Sequence, residues 1–215
     1  MIIAVDGPAA AGKGTLARRL AKAYGLAYLD TGLIYRAVGA KTLAQGADPS
    51  DAAIATAVAA ALKAGDLDAP GLRGEAAAGA ASKVAAIASV RAALLDFQRR
   101  FAAAPPGAVL DGRDIGTVVC PEADVKLFVT ASPEVRARRR AEELRQRGET
   151  AIYGAVLRDL MARDERDSRR AIAPLQLAAD AIRLDTDDLD ADQAFEAARE
   201  AIDRKVEIAR VADRT

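Results

Sequence analysis

The sequence predicts an α/β domain built on a five-stranded parallel sheet with helices on both faces. Five short apolar segments, Ile2 to Asp6, Leu26 to Leu29, Ala108 to Leu110, Val125 to Val129 and Ala181 to Leu184, have the length of buried strands. Helical stretches separate them, and an alternation of strand and helix is the pattern of a parallel sheet. The first strand runs into Gly7-Pro8-Ala9-Ala10-Ala11-Gly12-Lys13-Gly14-Thr15 and then a helical pattern through Leu16, Arg19, Leu20 and Ala23. Strand, glycine-rich turn and helix N-terminus, in that order, make a phosphate-binding loop.

Glycine lets the backbone of such a loop curl until successive N–H groups face an anion. The helix N-terminus adds roughly half a positive charge, and Lys13 adds a full one. This chain is therefore expected to bind a nucleoside triphosphate or a close relative. The general motif places Ser or Thr directly after the lysine, where the hydroxyl ligates magnesium. Here that position is Gly14, and Thr15 follows. Magnesium is then expected to be held mainly by phosphates and water. A nucleotide-operated switch would keep the hydroxyl, so Gly14 points away from that class.

The remaining elements follow from periodicity and breakers. Ile87, Val90, Leu94, Phe97 and Phe101 are spaced by three and four and predict a helix that stops before Ala104-Pro105-Pro106-Gly107. Ser132-Pro133-Glu134 reads as a helix start, with serine as cap and proline in the first turn. Leu189 to Ala212 reads as an amphipathic helix packed on the sheet. Gly65 to Gly79 shows no period and is expected to be a loop or abbreviated lobe between two helices.

Composition narrows the chemistry. The chain has 215 residues, enough for one α/β domain with small appended lobes. Its 31 basic and 31 acidic residues cancel, against a dedicated nucleic-acid or membrane-surface protein. An arginine-rich RNA-binding module would be basic and carry stacking aromatics, which are scarce here. No apolar run approaches the ~20 residues of a membrane span, and because Met1-Ile2-Ile3 reads directly into the first strand, no signal peptide is expected. The lone Cys120 can form no internal disulfide, which fits a cytoplasmic location. With no histidine in the chain, a Cys120 nucleophile would lack its usual activator, and chemistry must run on Lys, Arg, Asp, backbone amides or a metal ion.

Two further junctions carry charge at strand ends, where the ligands of an open parallel sheet bind. Leu29-Asp30-Thr31-Gly32 precedes a helix bearing Tyr35 and Arg36; Thr31 offers a hydroxyl and Arg36 a charged fork. After the third strand, Asp111, Arg113 and Asp114 crowd together, suited either to a structural ion-pair cluster or to holding a phosphate beside a base or sugar. From Arg136 to Arg170 there are eleven arginines, no lysine and seven acidic residues. Arg163, Arg166 and Arg170 are expected on one helical face, and Arg136, Arg139 and Arg140 on another, with Gly148 parting the two helices. A solvated, salt-bridged helix pair is one reading of this segment. An arginine-bearing lid that closes over phosphates is the other, favoured by the exclusive use of the planar guanidinium.

Taken together, Asp6-Gly7-Pro8, Gly12-Lys13-Gly14-Thr15, Asp30-Thr31-Gly32 with Ile34-Tyr35-Arg36, Ala81-Ser82-Lys83-Val84-Ala85, Asp111-Gly112-Arg113-Asp114 and the run Arg163-Asp164-Glu165-Arg166-Asp167 to Arg170-Ala171-Ile172-Ala173-Pro174-Leu175 resemble the bacterial cytidylate kinase family over nearly the whole chain. The resemblance implies a P-loop kinase fold in a single kinase domain. Its core would be 1–30, 105–132 and 176–215, with an acceptor-binding lobe at about 31–104 and an arginine-rich lid at about 133–175. It implies transfer of the γ-phosphate of ATP, with Mg²⁺, to CMP or dCMP. Residues 7–15 would bind the donor, with Lys13 on its β- and γ-phosphates, and Arg139 and Arg163 would stabilise the transferring group.

By the same resemblance, Thr31, Arg36, Arg113 and Arg163 surround the acceptor's phosphate or sugar. Ser82, Arg91 and Arg170 read cytosine with Asp111 and Asp114 nearby, and Asp167 meets the sugar. Many family members carry a longer insert than 65–79, which implies looser base discrimination here. UMP, AMP or a small metabolite such as shikimate are the rival acceptors. Nucleotides are the expected partners of a monomer that binds neither nucleic acid nor membrane.

Overall fold

The computed structural model describes residues 1–212. The chain divides into two compact units, one formed by Met1–Leu29 with the segment from Ala104 onward and the other by Asp30–Ala103. The first holds the sheet. Its strands are Ile2–Asp6 (β1), Ala27–Asp30 (β2), Ala108–Gly112 (β3), Val125–Thr130 (β4) and Ile182–Asp185 (β5), in the spatial order β2-β3-β1-β4-β5. All five predicted segments are strands of a parallel sheet; Ile2–Asp6 is matched at both ends, and the other four shift at an end by one or two residues.

β1 is central and reads as a continuous apolar run because both its faces are covered; Ile3, Ala4 and Val5 are fully buried. Ile2–Asp6 pairs with Ala108–Gly112 on one side, and Ile3–Asp6 with Val125–Phe128 on the other. The chain leaves β1 for one side of the sheet and later builds the other, so the crevice at the carboxyl end of β1 is the topological switch point. β5 lies at the edge and half-buries alternate residues, Ile182 and Leu184, while Arg183 and Asp185 are exposed.

Helix α1 (Lys13–Tyr24) buries Leu16, Ala17, Leu20 and Ala21, and ends at left-handed Gly25, where the Leu26 N–H reaches back to the Ala21 carbonyl. With Ile202 of α8 (Ala191–Ala212), these residues form a core against Ile3, Val5 and Leu127. α8 starts at Asp190, whose carboxylate accepts from Asp192 and Gln193 N–H while the Gln193 side chain accepts from Asp190 N–H, a capping box. α6 (Pro133–Gln146) starts at Ser132 as expected, α7 spans Tyr153–Ser168, and left-handed Gly148 lies between them. Between β3 and β4 the chain makes one π-helical turn, Ile115–Val119.

The second unit is helical: α2 (Thr31–Ala44), α3 (Ala52–Ala60), a 3-10 turn at Ala64–Asp68, α4 (Glu75–Val84) and α5 (Ala88–Ala103). α5 matches the predicted periodicity and stops before the proline pair. The 65–79 segment differs from expectation, because its last five residues are already helix. Glu75-Ala76-Ala77-Ala78-Gly79-Ala80-Ala81 carries no large apolar stripe, so periodicity could not reveal it. Alanine's intrinsic preference forms the helix, and its small side chains let α4 lie close against α2.

The closest point of that contact is Gly39, where a Cβ would meet the Ala80 Cβ at 2.7 Å and the Ala80 carbonyl carbon at 2.9 Å. A Cβ on Gly79 of α4 would meet nothing within 4 Å. Gly39→Ala is therefore expected to lower stability by about 1–3 kcal/mol through overpacking, whereas Gly79→Ala should raise it by about 0.5–1 kcal/mol. Urea unfolding of the two variants beside wild type measures both signs.

Candidate functional site

The phosphate-binding loop leaves β1 at Asp6 and closes at Lys13. Gly7 has φ +145°, and a Cβ there would lie 1.9 Å from the Val129 carbonyl oxygen, so only glycine lets the loop press against β4. Ala10 is held at φ 61° and Gly12 at φ 84°, a left-handed turn that an alanine adopts at a cost of about 1–2 kcal/mol. The loop's carbonyls are taken by side chains around it. Lys13 Nζ donates to the Pro8 carbonyl (2.7 Å), and Arg136 donates to the Ala9 carbonyl (3.2 Å). Thr186 Oγ1 lies 3.5 Å from the Ala11 carbonyl and 3.1 Å from that of Thr130.

Asp6 carries the loop's attachment to the next strand end. Its two carboxylate oxygens accept from the Ile115 N–H (2.8 Å) and the Gly116 N–H (2.7 Å), fixing the start of the π turn. Asp111 and Asp114 are buried, and the Tyr28 hydroxyl lies 3.4 Å from Asp111 Oδ2. A Cβ on Gly14 would come within 3.1 Å of that same Oδ2. The residue that replaces the expected hydroxyl thus makes room for a carboxylate at the helix N-terminus. Among the described residues, no group of three or more acidic or thiol side chains could hold a metal ion.

Arg113 donates through Nε to Asp167 Oδ2 (2.9 Å), and Arg170 donates to the other oxygen of the same carboxylate. Arg170 lies beyond the end of α7 rather than on a face shared with Arg163 and Arg166, and it reaches Asp167 from there. Burial alone would raise the Asp167 carboxyl, but Arg113, Arg170 and Arg163 outweigh it and hold it below its ordinary value. Burial likewise opposes the charge on Arg113, yet Asp167 and Asp111 prevail and raise it. Burial pushes the Lys13 ammonium down to about 7; Arg113 and Arg163 add to the fall, and Asp111 and Asp6 oppose it. Burial pushes the Asp6 carboxyl up to about 6 against its two backbone hydrogen bonds. The site thus concentrates cations whose balance a bound polyanion would complete.

Beside the loop lies a cavity of about 200 Å³, lined among others by Ala11, Gly12, Thr15, Arg139, Thr186 and Asp190. Arg139 donates to Thr186 Oγ1 (3.0 Å), the Thr186 carbonyl (2.5 Å) and the Leu189 carbonyl (3.2 Å). Its guanidinium therefore braces the β5–α8 loop at the cavity wall. Several neighbouring arginines realise the salt-bridged reading of this segment, with Arg136 on Asp164, Arg140 and Arg147 on Glu143, and Arg169 on Glu165.

The other site residues expected from the sequence belong to the helical unit. Thr31 is buried at the first position of α2, which the Asp30 side chain caps by accepting from Leu33 N–H (3.1 Å). Arg36 reaches the Leu72 carbonyl (3.4 Å). Ser82 is buried on α4, and buried Arg91 donates to the Ala85 carbonyl just past that helix (3.3 Å) with its guanidinium 5.5 Å from the Tyr35 ring centre.

No role attaches to Asp6, Thr186 or Tyr35 from the sequence alone. The first two lie where strands β1 and β5 end, and that position was the available signal.

Comparison with known proteins agrees with this architecture. The family model described as cytidylate kinase matches residues 3–204. Cytidylate kinase of Paramagnetospirillum magneticum is 68% identical over 200 residues, 92% of this chain and 95% of its own. That of Rhodopseudomonas palustris strain BisA53 is 59% identical over 203 residues, 94% of this chain and 96% of its own. A crystal structure of an uncharacterized protein from Eubacterium ventriosum shares the fold, with a TM-score of 0.57 at 15% identity over 94% of this chain and 98% of that one.

An anion in the loop favours the charged form of Lys13 and raises its value from about 7. At about pH 8 sulfate binding is therefore expected to take up protons. Calorimetry in buffers of different ionisation enthalpy reads that uptake, and Lys13→Met should abolish it.

Proposed function

The chain belongs to the cytidylate kinase family, and on that premise we propose that it transfers the γ-phosphate of ATP to CMP or dCMP, yielding CDP or dCDP. The observation that carries this reading is the group of Arg113, Arg163 and Arg170 around the buried Asp167 carboxylate, with Arg113 and Arg163 also acting on buried Lys13 of the phosphate-binding loop. Phosphoryl transfer asks little covalent chemistry of a protein and depends on positioning and charge neutralisation. This chain's polar groups are of the kind that work needs.

The roles divide as follows. Backbone amides of 7–15 and Lys13 hold the donor's phosphates, and the cavity flanked by Arg139 and Thr186 receives its nucleoside. Arg163 stabilises the equatorial oxygens of the group in flight; Arg139, held by carbonyls of the β5–α8 loop, shapes the donor cavity. Arg113, Arg163, Asp167 and Arg170 serve the acceptor, and the family resemblance assigns Thr31, Arg36, Ser82 and Arg91 to it as well, with Asp111 and Asp114 as accompanying carboxylates. Helices α6 and α7 act as the lid.

The residues fit a magnesium ion held by the nucleotide's phosphates and water, with Asp111, beside Gly14, as the carboxylate facing that shell. When bound, the ion neutralises phosphate charge. A monomer in the cytoplasm is consistent with a single buried cysteine; among the described residues no single helix is long and apolar enough to cross a membrane.

Formation of ADP from ATP across a panel of nucleoside monophosphates tests the acceptor. CMP and dCMP should give the highest kcat/KM, and a preference for UMP or AMP would replace them with that acceptor. Lys13→Ala should lower kcat by about a thousandfold or more with the fold intact by circular dichroism. Near-wild-type turnover in that variant would remove Lys13 from the donor site.

A further inference from the structure

We propose that Arg136 and Asp164 form a positioning pair that sets helix α7 in register with the phosphate-binding loop and so presents Arg163 for transfer. The inference rests on the kinase reading above. Arg136 sits in the first turn of α6, buried to 3% exposure, and its donors go to three places. Nε donates to the Ala131 carbonyl where β4 ends (2.9 Å). Nη1 donates to the Ala9 carbonyl at the tip of the loop (3.2 Å) and to Asp164 Oδ1 (3.1 Å), and Nη2 donates to Asp164 Oδ2 (2.6 Å).

One planar group therefore ties the sheet edge, the loop and α7 together. The fork-on-carboxylate geometry fixes direction as well as distance, which a lysine could not do. Packing reinforces it: Ala9 of the loop, Ala137 beside Arg136 and Leu160 of α7 form a small apolar cluster joined by Ala10, Val156 and Leu157. Asp164 is the residue next to Arg163 and three before Asp167, so the rotation of α7 that satisfies Arg136 also sets the direction of both. Arg136 spends its donors on protein, so it acts on the reaction through the elements it ties together, and the Asp164 half of the pair acts through α7 alone.

The test is steady-state kinetics on Arg136→Lys and Asp164→Asn in the full-length protein, with circular dichroism to confirm folding. Each is expected to lower kcat about a hundredfold, the cost of a small misplacement of a catalytic group, with KM for both nucleotides near wild type. Arg136→Lys combined with Arg163→Ala should lose little more than Arg163→Ala alone, because the lysine substitution acts through Arg163.

An equal fractional loss in both backgrounds overturns the proposal, as does a rise in KM at unchanged kcat. Variants that do not fold would also overturn it, placing the pair in stability alone. A wrong acceptor shows itself separately, in the wild-type panel, and the cycle is then read with whichever monophosphate wild type prefers.

Discussion

A loop that turns its amides toward an anion has to turn its carbonyls away from it, and buried carbonyls must find donors. In this protein the donors come from outside the loop and from distant parts of the chain. Pro8 is served by Lys13 at the head of α1, Ala9 by Arg136 of α6, and Ala11 lies beside Thr186 past β5. The loop's curvature is thus held by α1, α6 and the β5–α8 connection at once. The fit of Gly7 under the Val129 carbonyl supplies the remaining restraint, and the tip of the loop can be three successive alanines. Those alanines are small enough to pack, Ala9 and Ala10 joining the cluster with Ala137 and Leu160.

The second dependence is electrostatic. Placing Lys13, Arg113, Arg163 and Arg170 near one another is costly without a counter-charge, and Asp167, almost wholly buried, supplies it to two arginines directly. Burial is the main force that lowers Lys13, with Arg113 and Arg163 adding to it and Asp111 and Asp6 opposing it. A guanidinium does not deprotonate in proteins, so the lysine is the one cation of this group whose charge burial can withdraw. The arginines of α6 and α7 hold their charge against carboxylate partners of their own.

Much of this was legible in the chain. The strands declared themselves through continuous apolar runs, α5 through its spacing of three and four, α6 through Ser132-Pro133, and the loop through its glycines and lysine. What escaped had no side-chain signature. α4 begins inside an alanine-glycine stretch where period is invisible, and Arg170 reaches Asp167 from beyond the helix end at Ser168, where periodicity no longer applies. Arginine count could not separate groups paired along a helix, such as Arg140 and Arg147 on Glu143, from Arg113, whose partner lies 54 residues away. Asp6 and Thr186 look like ordinary strand-end residues until the segments they brace are folded beside them.

The missing histidine has a consequence of its own. Most proteins sense neutrality through imidazoles, scattered wherever evolution put them. Here Asp6 at about 6 and Lys13 at about 7 bracket that range, seven residues apart at the two ends of one loop. Both shifts have burial as their main cause, so the closeness of packing that shapes the loop also holds its aspartate and its lysine toward their neutral forms.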